Sequence, residues 1–226
     1  MNVSNLRLAI GIPLTFPWVP SSFFHSFIQM EKPDFTYIYE DSTGPIHALR
    51  NSIVEKALQA GATRLLMCDI DQVYHPKTVT KLLAHKLPIV GALVHRRYMP
   101  FDSLMMKIVP INEMTDGLKS IDEWEEDELV EVDATGTGCI MYDMDVFRKM
   151  PKPWYKSVRG TGEDFGFCQD LKKAGYKIFV DTSVPAGHLA TMVINTATSR
   201  LYRSMKTAQQ KKAADVALGV DNKKIA

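Results

Sequence analysis

The sequence predicts an α/β fold with a mostly parallel central sheet flanked by helices, followed by a helical C-terminal tail. Up to residue 94, short apolar runs alternate with segments of helical periodicity, which is typical of parallel strands joined by crossover helices. The apolar run at residues 64–68 leads directly into two aspartates, as expected of a buried strand that ends at solvent. Beyond residue 190 the chain is polar, basic and alanine-rich. We therefore predict a folded domain at residues 1–190 and a helical, basic tail at residues 191–226.

The first half contains four predicted strands. Each is an apolar run followed by a turn residue, an acidic residue or a loop. These strands cover residues 6–12, 35–39, 64–68 and 88–94. Three helices are predicted between them, because capping or helix-opening residues precede apolar residues at helical spacing. The helices cover residues 21–30, 46–60 and 76–86.

The second half opens with a less regular segment at residues 95–131, which we expect to hold loops and edge strands. Its acidic and proline residues break any helical or alternating pattern. Regular structure is predicted again after it, since short apolar runs return. Strands are expected at residues 129–133, 138–142 and 176–181, and helices at residues 144–149 and 163–174.

Composition is that of a soluble globular protein, with 46% hydrophobic and 23% charged residues and a formal net charge of +1. This balance does not favour a nucleic-acid-binding protein. The three cysteines, Cys68, Cys139 and Cys168, are widely spaced, so a complete disulfide framework is excluded and buried free thiols are expected. The sequence shows no leader-like N-terminus and no apolar run long enough for a membrane span. These features predict a cytoplasmic protein without a membrane span.

The Asp-Ile-Asp sequence at residues 69–71 is the strongest candidate for a ligand site. Asp69 and Asp71 occupy alternate positions of an extended segment, so their side chains point the same way. Ligands of open α/β sheets bind at the carboxyl ends of strands. Carboxylate oxygens suit a divalent cation, which can in turn hold phosphate oxygens. The alternative is a strand that simply ends in turn-forming aspartates.

Three later features are compatible with the same site. Gly136 and Gly138, in Ala-Thr-Gly-Thr-Gly, allow a backbone to approach a ligand closely, or they form a bulge or tight turn. Glu163 and Asp164 head a helix, where acidic side chains cap the dipole and where a carboxylate beside a cleft can act as a general base. His188 follows a strand and a short loop, and is either a metal ligand or a packed histidine.

In order and spacing, these features resemble the GT-A glycosyltransferases, whose fold is Rossmann-like, and most closely the glycosyltransferase family 2-like group. The resemblance covers residues 6–189. It is carried by Leu-Leu-Met-Cys-Asp-Ile-Asp-Gln, Pro-Ile-Val-Gly, Thr-Gly-Thr-Gly-Cys, Gly-Glu-Asp-Phe-Gly-Phe-Cys and Ala-Gly-Tyr-Lys-Ile-Phe-Val-Asp, at residues 65–72, 88–91, 135–139, 162–168 and 174–181.

The resemblance implies transfer of a sugar from a UDP- or GDP-linked donor to a hydroxyl acceptor, with Mn²⁺ or Mg²⁺ as cofactor. Asp71 would be the direct metal ligand, Asp69 would bind the ribose or a metal-bound water, and His188 would be a further ligand. Asp164 would be the general base, with Glu163 orienting the acceptor. The short chain lacks the Gln-x-x-Arg-Trp segment of processive polysaccharide synthases, which favours transfer of a single sugar.

The resemblance also implies a set of nucleotide- and sugar-binding residues around the first strand, the Arg-Asn pair of the second helix and the glycine-rich turn. For the Arg-Asn pair, the alternative is a solvated helix face. The loop at residues 153–162 is expected to act as a lid, with aromatic side chains that cover the sugar and glycines that hinge. The predicted binding residues are Pro13, Thr15, Arg50, Asn51, Asp69, Gly136, Thr137, Gly138 and Trp154.

Other interpretations remain open at this point. A catalytically silent module could keep the cation and nucleotide site, and turnover of a nucleotide-sugar would distinguish it from an enzyme. Haloacid dehalogenase-type phosphatases also carry Asp-x-Asp, but at the first strand rather than the third. A nucleotidyltransferase would have a glycine-rich, arginine-containing loop after the first strand, where this chain has Gly-Ile-Pro-Leu-Thr-Phe-Pro. The basic tail is expected to contact an anionic partner or another subunit.

Overall fold

The computed structural model describes residues 6–112, 115–157 and 162–217. Its strands are β1 (Leu8–Pro13), β2 (Phe35–Glu40), β3 (Arg64–Cys68), β4 (Gln72–Tyr74), β5 (Ile89–Val94), β6 (Met106–Asn112), β7 (Thr115–Ser120), β8 (Leu129–Val132), β9 (Cys139–Asp143) and β10 (Ile178–His188). Its helices are α1 (Ser21–Gln29), α2 (Ile46–Gln59), α3 (Thr78–Ala84), α4 (Met144–Lys149), α5 (Glu163–Lys173) and α6 (Thr196–Ala217).

The main sheet has eight strands in the order β2-β1-β3-β9-β5-β10-β4, with β8 paired to β10. Strands β2, β1, β3, β5 and β10 run in one direction, and β9 is inserted antiparallel between β3 and β5. The predicted mostly parallel α/β sheet is therefore confirmed. Parallel strands need crossover connections, which the helices α1, α2 and α3 supply.

Both faces of this sheet are buried. Leu65 and Met67 of β3 pack in one apolar cluster, and Leu66 and Cys68 pack in the other, because successive strand side chains point to opposite faces. Helix α2 covers the first face through residues such as Ile53. Strand β3, which leads into the two aspartates, is thus packed on both faces up to its last residue, Cys68. All three cysteines are free and buried, as predicted.

Strand β10 is longer than the sequence indicates. The apolar run predicts an end near Asp181, whereas the strand continues to His188 after an irregularity between Asp181 and Pro185. The extension pairs in antiparallel fashion with β4, a three-residue strand that the sequence did not predict. This pairing supplies hydrogen bonds that local sequence preference alone does not reveal. It also brings the end of β10 beside the segment that follows β3.

The irregular segment at residues 95–131 contains a separate two-stranded sheet of β6 and β7, in agreement with the expected edge strands. The chain divides into two compact units, residues 1–189 and 190–226. In the second unit, Asn195 caps helix α6 by accepting a hydrogen bond from the Thr198 amide at 3.1 Å. The helices of the described residues include none with the length and hydropathy of a transmembrane span. The predicted contact of the tail with an anionic partner or another subunit stays a prediction.

Candidate active site

A cleft of about 510 Å³ opens where β1 and β3 end. This is the edge at which open α/β sheets bind ligands. The polar side chains come from the segments that follow β1, β3 and β5, from helix α2 and from the start of α5. They belong to Thr15, Arg50, Asp69, Asp71, Arg97 and Glu163. Pro13 also lines the cleft. The structure therefore brings six predicted site residues to one cavity, namely Pro13, Thr15, Arg50, Asp69, Asp71 and Glu163.

Arg50 links the strand-end carboxylate to helix α5. Its Nη1 and Nη2 donate to the two carboxylate oxygens of Asp69, both at 3.0 Å, and its Nε donates to Glu163 Oε1 at 3.3 Å. Burial opposes the charge of this arginine, which is 4% exposed, but the Asp69 carboxylate outweighs burial and raises the pKa of Arg50. The solvated helix face considered for this residue is therefore wrong. Arg50 instead fixes the orientation of both carboxylates.

The backbone around Asp69 is equally constrained. Its amide donates to the Gly138 carbonyl at 2.8 Å, and the Tyr74 hydroxyl donates to the Asp69 carbonyl at 2.7 Å. A Cβ atom on Gly138 would lie 2.1 Å from Gln72 Nε2 and 2.9 Å from Asp69 Oδ2. Glycine fits here because any larger residue would displace the ends of the Gln72 and Asp69 side chains. This packing reason accounts for Gly138 without a ligand.

The other residues of the glycine-rich turn differ in position. Thr137 is 1% exposed, so its side chain offers the cleft no surface, contrary to its predicted role in sugar binding. Gly136 lies beside the proposed base, since a Cβ atom there would be 3.8 Å from Asp164 Oδ2.

Asp71 and His188 face each other across the β4–β10 pairing. Nε2 of His188 lies 3.4 Å from Asp71 Oδ2, and Nδ1 of His188 is 2.8 Å from the His95 carbonyl oxygen. Burial disfavours the Asp71 carboxylate, but His188 and the charge of Arg97 outweigh burial and lower the pKa of Asp71. Burial likewise opposes protonation of His188, but Asp71 and the His95 carbonyl outweigh it and raise the pKa of His188.

This pair has the donor chemistry of a divalent-cation site. A histidine whose Nδ1–H is held by a carbonyl presents Nε2 in a fixed orientation to a metal, and Asp71 adds a hard oxygen. Arg50 engages both oxygens of Asp69 and neutralises its charge, which makes Asp69 a weaker direct cation ligand than Asp71. In the part of the chain that the structure describes, no group of three or more His, Cys, Asp or Glu residues is arranged to hold a metal. The two predicted direct ligands, Asp71 and His188, are therefore adjacent, and their binding of a cation stays a prediction.

Glu163 and Asp164 occupy the first turn of α5, after Gly162 in a left-handed conformation with φ of 78°. Oδ1 of Asp164 accepts a hydrogen bond from the Phe165 amide at 2.8 Å. Burial, and then the negative charge of Glu163, raise the pKa of Asp164 to about 6. A carboxyl group that titrates close to neutral pH can take up and release a proton under working conditions, which is the property of a general base.

The loop after α4 does not match the predicted lid. Trp154 and Tyr155 are buried, and the Trp154 indole Nε1 donates to the Phe147 carbonyl at 2.9 Å. Asn51 holds this segment rather than facing the cleft: its Oδ1 accepts from the Trp154 and Tyr155 amides at 3.1 and 3.0 Å. The predicted ligand contacts of Trp154 and Asn51 are therefore corrected to packing roles. Residues 158–161, which include the predicted hinge Gly160, lie outside the described residues.

Three aromatic or charged residues of the cleft were missed from the sequence. Phe16 and Trp18 line the cleft and stack on each other, with ring centroids 5.6 Å apart, while remaining largely exposed. Arg97 donates from Nη1 to Asp71 Oδ2 at 2.8 Å. The signal for Arg97 was its place directly after the strand predicted at residues 88–94, since that strand ends at the same edge as Asp69 and Asp71. Exposed aromatic residues in the loop after the first strand were the signal for Phe16 and Trp18.

Comparison with known proteins places these features in context. No family model matches the chain. It is 25% identical over 190 residues to the mannan polymerase complex subunit MNN9 of Candida albicans, an alignment that covers 67% of this chain and 50% of that protein. The chain therefore spans about half the length of this curated relative.

Two solved structures share the fold. A197 from STIV superposes with a TM-score of 0.59 and 17% identity, covering 84% of this chain and 87% of that one. GalNAc-T7, solved with UDP, GalNAc and Mn²⁺, superposes with a TM-score of 0.57 and 12% identity, covering 81% of this chain and 44% of that one. At these identities the comparisons establish the architecture of the sheet and helices.

Proposed function

We propose that this chain, which has the GT-A glycosyltransferase-like fold, transfers a single sugar from a nucleotide-diphosphate sugar to a hydroxyl acceptor in a cation-dependent reaction. The observation that carries the proposal is the contact between Asp71 and His188 at the edge of the cleft. Two residues from distant parts of the chain meet there with the donor atoms of a cation site. Asp69, Arg50 and Glu163 line the same cleft.

Asp71 and His188 would hold the cation, because one supplies a carboxylate oxygen and the other an oriented imidazole nitrogen. Bound Mn²⁺ or Mg²⁺ would neutralise the charge that develops on the departing diphosphate. The structural neighbour GalNAc-T7 was solved with UDP and Mn²⁺, which supports a nucleotide diphosphate and a divalent cation as ligands of this fold.

Asp69 would bind the donor's ribose hydroxyls or a water, held in place by Arg50. The ion pair is bidentate and the arginine is buried, so the carboxylate has a single orientation toward the cleft. Pro13 and Thr15 would contact the nucleoside from the end of β1. Phe16 and Trp18, at the same wall, add aromatic surface against which a ring can stack.

Asp164 would act as the base. It accepts the hydroxyl proton of the acceptor while that oxygen attacks the anomeric carbon, and the bond from this carbon to the diphosphate oxygen breaks. With a pKa of about 6, Asp164 is mostly ionised at pH 7 and still basic enough to take a proton. Glu163, tied to Arg50, would orient the acceptor beside it.

A catalytically silent nucleotide-sugar-binding module is the second candidate. The observation that favours it is that arginines already neutralise both aspartates, through the Arg50–Asp69 and Arg97–Asp71 ion pairs. Hydrolysis or transfer of a nucleotide-sugar distinguishes the two functions, because a binding module releases its ligand intact.

The proposed function is tested by a thermal-shift screen of UDP, GDP and their sugar conjugates, with and without Mn²⁺. Ligand at one hundred times its dissociation constant stabilises a protein by about 2.7 kcal/mol, which is readily detected as a rise in Tm. We expect at least one nucleotide to stabilise the chain only when the cation is present. Equal stabilisation in EDTA would contradict the proposal.

A further inference from the structure

Arg97 occupies a defined position at the edge of the cleft. It follows β5 and lies at the base of a loop. An antiparallel bridge between His95 and Ser103 closes this loop, and the Arg96 amide donates to the Asp102 carbonyl at 2.9 Å. The backbone that carries Arg97 is therefore anchored, while its own side chain is 54% exposed. A long, exposed side chain on a fixed backbone can change its rotamer without moving the fold.

The guanidinium shares one oxygen atom with the imidazole. Oδ2 of Asp71 lies 2.8 Å from Arg97 Nη1 and 3.4 Å from His188 Nε2. A cation held between His188 Nε2 and the nearer oxygen of Asp71, Oδ2, would use the same atom that Arg97 contacts. Two positive groups cannot share this space, because their repulsion adds to the steric conflict.

We infer that Arg97 has two positions: without a divalent cation it is the counter-ion of Asp71, and with cation and diphosphate bound it leaves Asp71 and binds the diphosphate oxygens. This inference rests on the proposed function. An exposed ion pair contributes little free energy, so the divalent cation displaces the arginine easily. The planar guanidinium fork matches phosphate oxygens, which gives the displaced side chain a new partner in the same cleft.

The two positions predict opposite effects of one substitution. In Arg97→Gln the cation no longer competes with a guanidinium, so Mn²⁺ alone binds about two- to fivefold more tightly than to the native chain. Pyrophosphate in the presence of Mn²⁺ binds about tenfold or more weakly, because a charge-assisted contact is lost. A residue that merely stabilised the loop would not shift the two affinities in opposite directions.

Both affinities are measured by isothermal titration calorimetry, with Mn²⁺ and then with pyrophosphate at saturating Mn²⁺. The control is Arg148→Gln, which removes one positive charge from the exposed Asp145 ion pair on α4 and a hydrogen bond to the Ala62 carbonyl, away from the cleft. The control should leave both affinities unchanged. Arg97→Lys retains the charge but not the fork, so it should restore the Mn²⁺ affinity of the native chain and only part of the pyrophosphate affinity.

The failures of the two proposals are distinguishable. If the native chain binds Mn²⁺ through Asp71 and Arg97→Gln changes neither affinity, or lowers both, the inference about Arg97 is wrong and the proposed function stands. If the native chain binds no Mn²⁺, or binds it equally well after Asp71→Asn, then the cation site itself is absent and both proposals fall.

Discussion

Nε2 of His188 lies 3.4 Å from Oδ2 of Asp71, and the antiparallel pairing of β4 with β10 is the cause of this contact. His188 stands opposite Gln72 in the register, and the amide of the next residue, Leu189, donates to the Asp71 carbonyl at 2.7 Å. The two side chains are therefore aligned by backbone hydrogen bonds. If these residues bind a cation, their alignment before the ligand arrives would reduce the ordering cost of binding.

Asp71→Asn should abolish Mn²⁺ binding and leave the fold intact. The amide keeps the size of the side chain but loses the charge that a cation requires, and the side chain is one-third exposed rather than in the core. Calorimetric titration of Mn²⁺ checks the binding, and thermal denaturation checks the fold. Asp170→Asn is the matched control, since Asp170 is similarly exposed and pairs only with Lys156 on the surface in the described structure. Retained Mn²⁺ affinity in Asp71→Asn would show that the cation lies elsewhere.

His188→Gln should weaken Mn²⁺ binding by tenfold or more while the nucleotide-free protein keeps its Tm within a few degrees. The amide can still reach the His95 carbonyl, but it is a poorer metal ligand than an oriented imidazole nitrogen. The measurement is again a Mn²⁺ titration. His25→Gln, on the exposed face of α1, serves as control and should bind Mn²⁺ like the native chain. Equal affinities of the two variants would remove His188 from the site.

Asp164→Asn should lower the transfer rate by 10²-fold or more and leave donor affinity close to that of the native chain. The asparagine side chain can still accept the hydrogen bond from the Phe165 backbone N–H, but it cannot take a proton. Loss of an interaction made only in the transition state appears in kcat rather than in ground-state binding. Steady-state kinetics with a donor identified by thermal shift provide the measurement. If the variant transfers sugar at the native rate, Glu163 becomes the better candidate for the base.

The ionised Asp164 carboxylate should also lower the free energy of unfolding at neutral pH. Its pKa is raised from the ordinary value of 3.8 to about 6, so the folded state binds the proton more tightly than the unfolded state does. The favourable contribution of the protonated group is present below pH 3.8 and is lost as the pH rises through about 6. Asp164→Asn removes this loss and should be more stable at pH 7 than the native chain, by up to about 3 kcal/mol. Chemical denaturation of both proteins at pH 4 and pH 7 measures their free energies of unfolding. If the variant and the native chain differ by the same free energy at both pH values, the raised pKa of Asp164 is contradicted.

Gly138→Ala should destabilise the protein and weaken the cation site together. The added methyl group would lie 2.1 Å from Gln72 Nε2 and 2.9 Å from Asp69 Oδ2, so the ends of these two side chains, which adjoin Asp71, must shift. Overpacking of this kind costs about 1–3 kcal/mol. Gly44→Ala is the control, because the nearest atom to its Cβ position is 3.5 Å away. Urea denaturation and Mn²⁺ titration of both variants test whether the close approach matters.

The strand and helix pattern was largely predictable, because it depends on local properties of the chain. Apolar runs bounded by turn residues identified β3 and β5, and helical spacing identified α2. The acidic pair at the start of α5 was predictable for the same reason, since helix dipoles favour carboxylates there. Strand β4 was missed because three residues carry too little periodicity, and its partner lies far away in the sequence.

The roles of individual side chains depended instead on contacts between distant segments. Trp154 resembles a ligand-stacking residue in the sequence, yet its ring packs against Phe147 in the core with centroids 5.6 Å apart. From the sequence, Arg50 is predicted to bind the nucleotide, with a solvated helix face as the alternative, yet it is buried between Asp69 and Glu163. Burial and partner choice follow from which faces of the helices meet the sheet, and no local pattern encodes that choice.

The sequence by itself thus determined that an α/β sheet carries Asp69 and Asp71 to its edge and that Glu163 and Asp164 head a helix, because strand periodicity and helix capping act over a few residues. Only the tertiary structure decided that Asp71 meets His188 and Arg97, while Asp69 is held by Arg50. The reason is register: strand pairing can align residues in several ways, and the buried pairing of the whole sheet selects the one that brings these charges together.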